Sequence, residues 1–219
     1  MEKNILTKNQ LLVLKKVAEN KFIRKNFYLT GGTALAGFYL HHRISEDLDF
    51  FTEKEFDVSA ITVFFQKHKK QLGVLKMDYQ QSYNRNLFFL HLPTEVLKTE
   101  FTYFPFPRID ETVVENGVKI DSVLDIAVNK LFTIYQRTAA RDYIDLYCIM
   151  RKYPWDMQEL IRKAKTKFDW HIDPLQLGTQ FIKAETVSDF PKMIQDIAVS
   201  EWQNFFIQGA RKLKDRIVK

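Results

Sequence analysis

The segment Phe104-Pro105-Phe106-Pro107 constrains this chain most, because the hydrophobic pattern changes period across it. Two prolines this close remove amide donors and fix φ, so neither a helix interior nor a central strand runs through them. On the N-terminal side, the runs at 73–81, 87–92 and 96–103 alternate like half-buried strands, with a hairpin turn at 82–86. On the C-terminal side, beyond a small strand at 118–120, apolar residues recur at helical spacing. Helices are expected from a Ser122/Asp125 cap to about Gln136, and at 141–151, 156–167, 174–183, 191–198 and 201–218. The class this predicts is α+β, a mixed sheet flanked by helices and followed by a C-terminal helical bundle. Residues 1–115 are expected to form the α/β domain and residues 116–219 the helical one, with the changeover inside 111–121.

Ahead of the strands, Thr7 and Gln10 form a capping-box pattern, and Leu11, Leu14, Val17 and Ala18 continue it as a helix over 8–24. Phe27-Tyr28-Leu29 reads as a short strand stopped by Gly31-Gly32, with a helix over 33–41 after it. Residues 47–51 alternate acid and apolar as a strand, and 58–70 is helical on an Ile61, Phe64 and Phe65 stripe.

With 46% apolar residues, the 219-residue chain can bury a substantial core. No stretch is long and apolar enough to span a bilayer, and no charged-then-apolar leader is expected at the N-terminus. The single cysteine, Cys148, excludes an intramolecular disulfide and a cysteine zinc cluster, and fits a reducing cytoplasm. A net charge of +6 leans towards a polyanionic partner such as RNA, DNA or a nucleoside triphosphate, or serves solubility alone.

Within Ser45-Glu46-Asp47-Leu48-Asp49-Phe50-Phe51, Asp47 and Asp49 stand two apart, so on a strand both carboxylates share a face. Like charges held that close repel unless a cation lies between them, and hard oxygen ligands suit Mg²⁺. Two acids on a solvent-facing strand would look the same. Upstream, Gly31-Gly32-Thr33 sits between a strand and a helix, where glycines let backbone approach a ligand and helix-end amides can face phosphate. An ordinary glycine turn with Thr33 as N-cap is the alternative. Taken together, the two features describe a metal-bridged triphosphate site.

Gly31-Gly32-Thr33 followed by Asp47-Leu48-Asp49 resembles the signature of the nucleotidyltransferase superfamily. The runs Leu29-Thr30-Gly31-Gly32-Thr33-Ala34-Leu35-Ala36 and His42-Arg43-Ile44-Ser45-Glu46-Asp47-Leu48-Asp49-Phe50-Phe51 are similar to the AbiEii/AbiGii abortive-infection toxin family. So are Asn129-Lys130-Leu131 and Arg141-Asp142-Tyr143-Ile144-Asp145-Leu146-Tyr147. The resemblance implies transfer of a nucleotide from a triphosphate to an acceptor hydroxyl, in some relatives the tRNA 3′ end, by a toxin paired with an antitoxin. It also implies that Asp47 and Asp49 hold metal, that Gly32 and Thr33 hold phosphate, and that Lys130 contacts the triphosphate. Asp142 would be a second catalytic acid, with Lys130 and Asp142 brought to the cleft by the helical domain. Family members often carry Ser where this chain has Thr33, and the hydroxyl is kept.

Read from the residues alone, Lys130 could be a snorkelling surface lysine. Arg137, Arg141, Asp142 and Asp145 could form a surface ion-pair network. Glu100 is the candidate third metal ligand or a base, or a partner of Lys98 on the same strand face. Arg43 is expected to reach a phosphate or to pair with Glu46. The histidines lack metal-site spacing, and Cys148 reads as a small buried hydrophobe. On the last helix, Trp202, Phe205, Phe206 and Leu213 form a packed side, while Arg211, Lys212, Lys214, Arg216 and Lys219 make a solvated basic end or an RNA contact. A non-catalytic nucleotide- or RNA-binding relative, and a metal-dependent phosphohydrolase or nuclease on the same carboxylates, are the competing functions.

Overall fold

The computed structural model describes residues 5–217, as two compact units. The first runs to Phe38 and adds Ser45–Pro107 and Glu111–Ser122; the second comprises Tyr39–Ile44, Arg108–Asp110 and the chain from Val123 onward.

The first unit opens on α1 (Lys8–Glu19), whose Thr7/Gln10 capping box forms as its sequence predicts. The expected single helix is broken at Asn20, which turns extended and caps α2 (Lys21–Asn26) by accepting the Ile23 amide. An asparagine oxygen satisfies free helix-end donors better than it continues a helix, so the chain restarts there. β1 (Tyr28–Thr30), α3 (Gly31–Leu35) and a π-helical turn (Ala36–Leu40) follow. The helix expected over 33–41 is therefore short and then widens, ending where His41 takes a left-handed φ of 55°.

β2 (Leu48–Thr52), α4 (Val58–His68), β3 (Lys76–Ser82), β4 (Arg85–His91), β5 (Val96–Tyr103), β6 (Val113–Glu115) and β7 (Val118–Ile120) complete the unit. The seven strands lie in the order β3-β4-β5-β2-β1-β7-β6. β2 pairs in parallel with β5 and antiparallel with β1, and β1 pairs in parallel with β7, so the sheet is mixed. Along β2, Leu48, Phe50 and Thr52 are buried while Asp49 and Phe51 are half-buried on the opposite face. Phe50 stacks on Phe101 at 4.9 Å, and Phe27, Phe65 and Phe88 pack edge-on around Phe101. This aromatic layer under one face of the sheet fixes strand register, because a one-residue slip would turn Phe50 outward and Asp49 inward.

The second unit is helical: α5 (Val123–Gln136), α6 (Ala140–Lys152), α7 (Met157–Phe168), α8 (Pro174–Ile182) and α9 (Val199–Ile217). Its core centres on Tyr143, Phe181, Trp202 and Phe206, with Phe206 edge-on to Tyr143 at 5.0 Å and against Phe181 at 5.2 Å. The helix expected over 191–198 does not form. The Ile44 amide donates to the Lys192 carbonyl, and the Ile194 and Gln195 amides donate to the His42 carbonyl, so this backbone is spent on the 42–44 segment. Of the basic end expected on α9, Arg211 and Lys212 are exposed, whereas the side chains of Lys214 and Arg216, and all of Lys219, lie outside the described residues. Among the described residues, no helix is long and apolar enough to cross a membrane.

Candidate active site

In the first unit the site residues gather where β1 gives way to α3. Gly31 takes a φ of +71°, and a Cβ placed there would stand 2.8 Å from the Asp49 Oδ2. Only glycine meets both demands, a left-handed backbone and close approach to a carboxylate. Asp49 is held by register, opposite Thr30 on one side and Glu100 on the other.

Asp47 sits one residue ahead of β2, in a loop braced from two directions. The buried Thr33 hydroxyl donates to the Asp47 carbonyl. Gln10, fully buried, donates its amide to the carbonyls of Ser45 at 2.9 Å and Glu46 at 3.1 Å. Thr33 was expected to present its hydroxyl to phosphate; in the structure that hydroxyl is committed to the acid loop. Gln10 carries no sequence signal beyond its capping box, because its second set of partners is distant in the chain.

Two ion pairs neutralise the acids. Lys98 Nζ meets Asp47 Oδ2 at 2.5 Å, not Glu100 as its place on the strand suggests. Arg85 grips Glu100 with two parallel bonds of 2.8 and 2.6 Å, and the Thr102 hydroxyl adds a third at 2.7 Å. Burial alone would push the Glu100 carboxyl up, but the bonds from Arg85 and Thr102 outweigh it and hold Glu100 below the usual range. The hydrogen bond to Glu100 raises Arg85, and the charges of Asp49 and Asp47 add to it. Both Glu100 oxygens thus have protein donors. Among the described residues no three His, Cys, Asp or Glu side chains converge as a ready metal cage. The donor chemistry of Asp47 and Asp49, two hard carboxylates on one loop-and-strand segment, still fits a hard divalent cation that keeps waters or phosphates as its other ligands.

The second unit holds a buried network around Asp145. Its carboxylate receives Arg43 Nε at 2.6 Å and Nη2 at 2.8 Å, His42 Nε2 at 2.8 Å and Lys130 Nζ at 2.6 Å. Lys130 also meets Asp142 at 2.7 Å, and Arg137 Nη2 reaches Asp142 at 3.0 Å. Burial would raise Asp145, yet the charges of Lys130 and Arg43 hold it well below the usual carboxylate range; Asp142 is lowered by Lys130 against the same penalty. What spacing presented as a surface network is therefore buried at its carboxylates, with Asp142 and Asp145 on the inward face of α6, and Arg137 reaches it from the exposed side. Arg141 stays outside it on the exposed side.

Arg43 was expected to meet phosphate or Glu46. It is buried, and its guanidinium is occupied by Asp145 and the Ile44 carbonyl. His42 is fully buried beside it, with no hydrogen-bond partner on Nδ1. Both side chains converge on Asp145 directly after the left-handed turn at His41. Cys148 is buried, and its thiol is pushed up to about 12 by burial, so it is inert as a nucleophile.

The fold places the chain in a class. A candidate nucleotidyltransferase from Helicobacter pylori matches it with a TM-score of 0.62 at 21% identity, over 96% of this chain and 97% of that one. The MenT4 nucleotidyltransferase toxin of Mycobacterium tuberculosis matches with a TM-score of 0.62 at 17% identity, covering 94% and 84%. This is the fold of a nucleotidyltransferase.

The sequence narrows the class to one family: residues 13–216 match the model of the nucleotidyl transferase AbiEii toxin, type IV toxin–antitoxin system, and the chain belongs to that family. An uncharacterized Aquifex aeolicus protein is 36% identical over 167 residues, 74% of this chain and 76% of that one.

Proposed function

We propose that this nucleotidyltransferase moves a nucleotide from a nucleoside triphosphate to an acceptor hydroxyl, with Asp47 and Asp49 holding Mg²⁺. The observation that carries it is the bare Gly31 backbone pressed against Asp49, which leaves no side chain between that carboxylate and an incoming phosphate. When bound, the metal would supply charge stabilisation on the phosphates and a lower pKa for the acceptor hydroxyl.

The remaining work falls to the chain's own residues. The backbone at Gly31 and Gly32 lets the triphosphate approach closely, while Thr33 holds the Asp47 loop in place. Glu100 keeps Arg85 oriented through its two parallel bonds. The family likeness carries the roles of Lys130, which would offset charge on the departing pyrophosphate, and of Asp142 as a second catalytic acid. Arg43 is assigned to holding the 42–44 turn on Asp145. RNA, with the tRNA 3′ end first among acceptors, and an antitoxin encoded beside the gene are the partners we assign. The cytoplasm is the compartment.

The test is incubation with each labelled nucleoside triphosphate, Mg²⁺ and total RNA. Lengthened, labelled RNA from the wild type and none from Asp49→Ala is the expected result. Equal labelling by Asp49→Ala would remove the aspartates from the chemistry, and shortened RNA would convert the assignment to a nuclease.

A further inference from the structure

Two ion pairs stand side by side on the acid face of the sheet, and they are built differently. Arg85 and Glu100 share two parallel bonds with a third donor from Thr102, and Glu100 is buried. Such a bidentate, charge-assisted arrangement does not exchange readily. Lys98 and Asp47 share one contact, and their side chains keep 26% and 33% of their exposure. Lys98 is fixed at its backbone by pairing opposite Phe89, so its ammonium can leave Asp47 only by swinging on its flexible stem. A half-exposed single-contact pair of this kind is worth little on its own and opens easily.

We propose that Lys98 is the resident counter-ion of Asp47, displaced more readily when a divalent cation arrives together with the phosphates of a nucleoside triphosphate than when it arrives alone. The proposal rests on Asp47 and Asp49 being the metal ligands. A bare cation would have to evict one ammonium and sit near a second positive charge on Arg85, with Glu100 already taken. A cation carrying a triphosphate brings the anions that receive the released ammonium. Metal and nucleotide affinity are thereby coupled through Lys98, and linkage makes that coupling reciprocal.

The experiment is titration of the full chain with Mn²⁺, which shares the oxygen-ligand preference, read by electron paramagnetic resonance of free Mn²⁺ and by calorimetry. It is run with and without a non-hydrolysable triphosphate, on wild type, Lys98→Met and Lys98→Arg, and each in the Asp49→Asn background. Lys98→Met is expected to bind Mn²⁺ alone about ten-fold tighter than wild type, and to lose about ten-fold of the gain that nucleotide gives. Lys98→Arg keeps the charge and stays within about three-fold of wild type. Thermal unfolding of each variant confirms that a half-exposed side chain was changed without loss of the fold. Equal bare-metal affinity in Lys98→Met and wild type, with Asp49→Asn weakening both, overturns the role of Lys98 alone. Affinity untouched by Asp49→Asn overturns the metal assignment itself.

Discussion

Asp47 in the first unit and Asp145 in the second each face a lysine at hydrogen-bond distance, yet the two pairs stand in opposite environments. Asp47 is half-exposed, meets one cation, and hangs on a loop held through its carbonyls by Thr33 and Gln10. Asp145 is fully buried and receives bonds from His42, Arg43 and Lys130 at once. A carboxylate braced by its backbone keeps its oxygens exchangeable, and one saturated by cations in the interior does not. The first arrangement suits chemistry. The second holds a turn and a helix together, and removing its centre leaves charges with nowhere to go.

The contrast can be broken by separating activity from stability. Asp49→Ala should lower nucleotide transfer by about ten-thousand-fold, about 5.5 kcal/mol, with a melting temperature close to wild type, because Asp47 and Glu100 keep their own cations when the Asp49 carboxylate is removed. Loss of both activity and fold would show that the acids are structural. Asp145→Asn should do the reverse, costing about 3–5 kcal/mol in denaturant unfolding.

Asp145 also sets the acid limb. Its folded pKa is depressed, so its contribution is complete above the unfolded aspartate value of about 3.9 and is lost as pH falls through the lower folded value. Wild-type stability should therefore drop steeply below about pH 4, and Asp145→Asn should show a shallower slope there. A variant with the same acid slope as wild type would assign that loss to other groups, Asp142 and Glu100 first.

Arg85→Gln is expected to cost about 1–3 kcal/mol, because Glu100 stays buried with its main donor gone. Glu100→Gln in the same chain should recover most of that loss, and failure to do so would mean that Arg85 stabilises the sheet by packing alone. Gly31→Ala should cost about 1–2 kcal/mol from the left-handed backbone. Its sharper readout is structural: the added methyl displaces the Asp49 carboxylate, visible as a shifted Asp49 side-chain resonance.

Much of the fold was legible because its signals are local. The Thr7/Gln10 capping box, the strand at 96–103 and the acid-apolar alternation along β2 each follow from neighbours in sequence. The glycine pair and the two aspartates were legible as a motif, though not the contact of Gly31 with Asp49, which exists only once β1 pairs with β2. Arg43 was misread for a related reason. Its partner Asp145 lies far along the chain, so nothing near Arg43 in sequence points to it. Lys98 shares a face with Glu100, but side-chain reach decided its partner, and that needs the loop position of Asp47. The segment at 191–198 looked helical until its amides were needed by His42.

The parallel pairings of the sheet have a consequence for synthesis. Asp49 acquires its neighbour Glu100 only after β5 has been made, and Leu29 pairs with Ile120 near the end of the first unit. At a ribosomal pace of about 5–20 residues per second, the emerging chain spends several seconds with its acid strand made and its β5 partner missing. The acid face of the sheet is therefore completed only after β5 and then β7 have left the ribosome.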